Sequence, residues 1–125
     1  MKSGVCLALL LLLSFASREA RAYEFAVGTI MICDTQNQVR RFAQLFESDI
    51  TKAIRAINNE EHSANACALV DVAYVEGPQI GIARSALHTF GIIPIVVVAA
   101  QTPAGYRMVE PEMFFTPVEI EEYAQ

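Results

Sequence analysis

The chain reads as an α+β domain: an antiparallel curled sheet or small open barrel of four to five strands, with one or two helices inserted after the first strand. Two changes of periodicity predict this. An apolar segment, "FAVGTIMI" (25–32), gives way at "CDTQNQ" to a stripe with helical spacing. After Cys67 the pattern turns to two-residue alternation interrupted only by short turns, and short turns join antiparallel neighbours.

Residues 25–32 are β-rich and almost continuously apolar, the mark of a strand covered on both faces. Asp34 or Thr35 then offers a short oxygen-bearing side chain to the free N–H groups of a first helical turn. Apolar residues follow at Val39, Phe42, Ala43, Phe46, Ile50, Ala53, Ile54 and Ile57, one face of a helix. Ser48-Asp49 carries a second capping signal inside that stripe. The spacing therefore predicts either one long helix or two, over 35–47 and 49–60. Arg40 and Arg41 belong to its solvated side, and "NNEEHSAN" (58–65) ends the helical part.

Beyond Cys67, "ALVDVAYV" (68–75) alternates as a strand, "EGP" (76–78) is a turn, and "QIGIAR" (79–84) alternates again. "SALH" (85–88) connects to a long strand, "TFGIIPIVVVAAQ" (89–101). Pro94 has no N–H for a ladder, so it marks an edge position or a bulge there. "TPAG" (102–105) places Pro103 and Gly105 at the second and fourth positions of a turn. "EMFFTPVEI" (112–120) reads as the last strand, before an acidic tail. Phe25, Phe42, Phe46, Phe90, Phe114 and Phe115 fall in periodic apolar runs and are expected in the core. Tyr74 and Tyr106 are expected to be more open.

The first 22 residues have the layout of a secretory signal peptide. Lys2 precedes an apolar run over 5–16, and Ala20 and Ala22 occupy the small-residue positions before Tyr23. That run falls short of the roughly 20 residues a membrane span needs. The expected organisation is a signal peptide, 1–22, and a single domain, 23–125, periplasmic or secreted, with no membrane span after cleavage. Removing Lys2, Arg18, Glu19 and Arg21 leaves six basic and thirteen acidic residues, a net charge of −7 against −5 for the whole chain. So acidic a domain repels phosphate backbones, which argues against a nucleic-acid partner.

Cys6 lies within the signal segment, which leaves Cys33 and Cys67. In an oxidising compartment one possible pair most simply forms one disulfide, here closing a loop of about 34 residues. The competing reading is a reactive Cys33 thiolate, favoured by the helix start that follows it. Nucleophilic catalysis also requires a base, and the two histidines, His62 and His88, occupy no recognisable partner motif. Glu60, Glu61, His62 and Cys67 match no zinc-ligand spacing, and no metal or cofactor is expected.

The succession of a signal peptide, "ICDTQNQVRRF", "AINNE", "ACALVDVAYVEGP" and "FTPVEI" resembles small exported bacterial proteins of uncharacterised function. The resemblance spans most of 23–125, both cysteines included. It implies export and one domain, and it carries no activity or ligand. The expected role is a non-enzymatic binding module of the cell envelope, whose partner is an unknown protein or envelope component. The alternative is a small extracytoplasmic enzyme or redox protein using Cys33. Tyr74 and Tyr106, close to Gly77-Pro78 and Gly105, are the candidate binding surface for a peptide or glycan.

Overall fold

A computed structural model describes residues 25–121; the expected signal peptide, 1–22, lies outside the described residues. The chain order is β1 (Ala26–Cys33), α1 (Gln36–Leu45), α2 (Ile50–Glu60), β2 (Cys67–Glu76), β3 (Gly81–Arg84), β4 (Thr89–Thr102) and β5 (Gly105–Glu119). The five strands form one antiparallel sheet in the order β2-β1-β5-β4-β3. β2 also pairs with β4, which curls the sheet back on itself without making a regular barrel.

The helical stripe is divided into two helices, each started by its own cap. The Thr35 hydroxyl accepts the Gln38 N–H, and the Gln38 side chain accepts the Thr35 N–H, a reciprocal capping box. Asp49 accepts the N–H groups of Thr51 and Lys52 and starts α2. The second helix ends at Glu60 with Glu61 as its cap, and the positive φ of 53° at His62 then reverses the chain.

The expected stripe faces the sheet. Val39, Phe42, Ala43, Ala53 and Ile57 are buried together with Met31, Cys33, Cys67, Phe90 and Ile92. A second core is built from strands alone, inside the curl, and includes Ile32, Val72, Tyr74, Ile95 and Val97. The β4 strand serves both. Phe90 and Ile92 point to the helices, while Ile95 and Val97 point into the curl. This two-sided burial explains the unbroken apolar run of that strand.

Pro94 stands at a change of partner. β4 pairs with β3 through Thr89–Phe90–Gly91–Ile92 and with β2 from Ile95 onward. Between those ladders no N–H is needed, and the Pro94 carbonyl accepts the Gly77 N–H at 2.8 Å. A side chain at Gly77 would meet the Pro94 ring at 2.9 Å, so the turn after β2 requires glycine. β5 begins at Gly105, seven residues before the expected 112, because the hairpin turn brings 105–108 into register with the end of β4. Residues 106–113 are exposed and contain Pro111, so alternation does not mark them as strand.

Two core expectations are corrected. Phe25 is 62% exposed, since it precedes the first residue of β1 that has a ladder partner. Tyr74 is buried, since even-numbered residues of β2 face the interior of the curl.

Cys33 and Cys67 form a disulfide, and their Cα atoms lie 4.1 Å apart as direct partners in the β1–β2 ladder. The bond closes the helical excursion at its base. Beside it, Asn58 of α2 accepts the Cys67 N–H through Oδ1 at 2.9 Å and donates to the Cys67 and Ala64 carbonyls at 3.0 Å. One side chain thus satisfies both backbone groups of Cys67.

Opening the 34-residue separation removes a constraint on the unfolded chain worth roughly 3 to 4 kcal/mol. Replacing both cysteines by alanine is expected to lower unfolding free energy by about that amount in urea titration, and an unchanged midpoint would contradict it. Asn58→Ala is expected to cost about 1–3 kcal/mol, from the backbone groups it leaves unpaired. Chemical denaturation of the oxidised protein checks this independently of the bridge.

Candidate functional site: the seam between β1 and β5

β1 and β5 meet at one ladder position, Cys33 opposite Phe115. Next to it the buried Thr116 hydroxyl donates to the Met31 carbonyl at 2.7 Å. One ladder step further stands Pro117, which has no N–H to extend the pairing. The strands separate there, and an apolar groove of about 370 Å³ opens between them. Ile30, Met31 and Tyr74 line it from the β1–β2 side, and Phe90, Pro117 and Val118 from the β4–β5 side. Phe42, Phe46 and Ile50 contribute from the helical layer, and the charged lining residues among those described are Glu76 and Glu119.

His88 holds one end of this seam. Its Nδ1 lies 2.8 Å from the Glu119 carboxylate of β5, and its Nε2 lies 3.0 Å from the Glu47 carbonyl in the α1–α2 connection. The ring packs against Phe46 and Phe90, with centroid distances of 4.9 and 5.9 Å. Both neighbours of the ring nitrogens are acceptors, so the imidazolium satisfies both contacts and a neutral ring satisfies one. The Glu119 hydrogen bond foremost, and the Glu47 carbonyl next, raise the His88 pKa above its ordinary value against the opposing effect of desolvation. Arg84 and Glu121 line the adjoining cleft with His88 and Glu119.

The two tyrosines expected to share a surface lie on opposite faces of the sheet. Tyr74 borders the groove from inside the curl, and burial raises its pKa, with a smaller contribution from Glu76. Tyr106 is at the outer end of the β4–β5 hairpin, where its hydroxyl donates to Asp71 at 2.6 Å, a bond that raises its pKa. Cys33, the candidate nucleophile, is 1% exposed and bonded to Cys67, so it presents no thiol.

The arginine pair also has structural partners. Arg40 donates to the Ile82 carbonyl at 2.9 Å on β3, the last strand of the sheet. Arg41 bridges to Glu60, joining the solvated sides of α1 and α2. The seam itself is absent from the sequence reading, although Pro117 inside "FTPVEI" is the signal that could have located it. A proline in an otherwise regular strand requires one side without a ladder partner. His88 offered no such signal, because Glu47 and Glu119 are 41 and 31 residues away.

No family model, curated protein or solved structure matches the chain. Among the described residues no helix is long and apolar enough to cross a membrane.

A histidine whose pKa is raised by folding contributes stability that is complete below its unfolded pKa and fades as pH rises through the folded value. His88→Gln is therefore expected to lower Tm more at about pH 5 than at about pH 8. Thermal scans at the two pH values check this, and equal losses would refute the charged contact.

Proposed function

We propose that the protein is an exported, non-enzymatic binding module of the cell envelope, periplasmic or secreted, and that the β1–β5 seam receives its partner. The observation that carries this reading is the apolar groove left where the sheet fails to close. A small domain that leaves apolar side chains from both of its cores at one opening keeps that surface for a ligand. The disulfide supports an oxidising location, since such bonds persist outside the cytosol. The signal layout of residues 1–22 and the resemblance to small exported bacterial proteins agree with it.

The test combines processing with contact. Intact mass of the protein recovered from the envelope fraction is expected to show a chain starting at Tyr23, two hydrogens lighter than its reduced form. A photo-crosslinking residue at exposed Val118, on the groove, is expected to capture an envelope component that one at Arg55 does not. Retention in the cytosol with Cys33 and Cys67 both alkylatable, or identical products from both positions, would remove the proposal.

A further inference from the structure

We infer that an extended peptide segment of another polypeptide completes the sheet at the seam, pairing with the open edge of β1, with apolar side chains on both of its faces and lysine or arginine at its flanks. This rests on the seam being the binding surface, and adds the chemistry of the partner.

The first argument is the backbone of β1. An antiparallel strand sends its N–H and C=O groups to both sides, and β1 uses one side on β2 along Ala26–Cys33. On the other side, among the described residues, Cys33 alone has a ladder partner, and the Met31 carbonyl accepts from the Thr116 hydroxyl. The edge from Ala26 to Ile30 has no strand beside it among the described residues, and it runs into the groove at Ile30 and Met31. At about 3.3 Å per residue it is long enough for four or five residues of an added strand. Closure by β5 is blocked because Pro117 occupies the next step of that strand.

The second argument is the lining. An added strand presents alternate side chains to opposite faces, and the groove offers apolar contacts on both sides of the sheet. Tyr74 and Ile30 belong to the inner core, while Phe42, Phe46 and Phe90 belong to the helical one.

The third is charge. Among the described residues Glu76 and Glu119 are the charged ones that line the groove, and no lysine or arginine does. A basic-flanked segment is attracted there. A second copy of this acidic domain would bring two further carboxylates to the same opening, so a foreign strand is the better occupant.

The probe is a fluorescein-labelled peptide of about eight residues, alternating valine and isoleucine with lysine at each end, titrated into the oxidised protein by fluorescence anisotropy. Micromolar binding is expected. A backbone N-methylated version, which cannot donate along the edge, is expected to bind at least about tenfold more weakly, as is a glutamate-ended version. Glu76→Lys, with an unchanged circular dichroism spectrum, is expected to narrow or reverse the preference for lysine ends. Equal binding of methylated and unmethylated peptides overturns strand addition while leaving the groove as an apolar site. No binding by any probe overturns strand addition, and the Val118 crosslink then decides separately whether the seam is used at all. Self-association that competes with the peptide assigns the edge to a second copy and also overturns the inference.

Discussion

Cys33 carries three connections that would otherwise fall on separate residues. It ends β1, it is bonded to its ladder partner Cys67, and it is the single position at which β1 pairs with β5. The covalent bond therefore does more than shorten a loop in the unfolded chain. It fixes the register of β1 on β2 and holds the base of both helices to the point where the sheet turns back on itself. Asn58 secures the same point from the helical side, by bonding both backbone groups of Cys67. The helices are short, and helices of that length gain most of their stability from the face they bury. That face reaches the sheet only because its two ends are held together.

The second constraint follows from β4, which must serve two cores. Its even-numbered residues near the start pack under the helices, and its odd-numbered residues further on fill the curl. A strand buried in both directions cannot also leave its edges open, and it takes β5 on one side and β3 then β2 on the other. The opening in the sheet is displaced to β1 and β5. Pro117 keeps it there, because the residue that would continue their ladder has no hydrogen to give. His88 then ties the α1–α2 connection to β5 beside the opening, so that the groove has a rigid end.

Much of this was legible residue by residue. Thr35 and Asp49 are capping residues by the chemistry of their own side chains, and both start helices. The helical stripe and the two-residue alternation of β2 appear at the expected places, and Cys33 pairs with Cys67. The expectations that shift depend on distant partners. Tyr74 looks open beside a Gly-Pro turn, but the inward side of β2 is decided by β4, which arrives about twenty residues later. Residues 106–113 lack a strand pattern because they are held by the hairpin and not by burial. Arg40 looks like a solvated charge until β3 comes to lie beneath it.

By itself, the sequence determined the local properties of this protein: where helices start, which faces are apolar, how few positively charged groups the chain has, and that only one pair of cysteines follows residue 22. These depend on neighbours within a turn of helix or two residues of strand. Only the tertiary structure decided that the sheet curls, that β1 and β5 touch once and part, and that an apolar groove with two carboxylates lies between them. Strand partnership is a competition among edges far apart in the chain, and hydrogen-bonding edges look alike in sequence. Which ones remain open is settled only when the strands have competed for their partners.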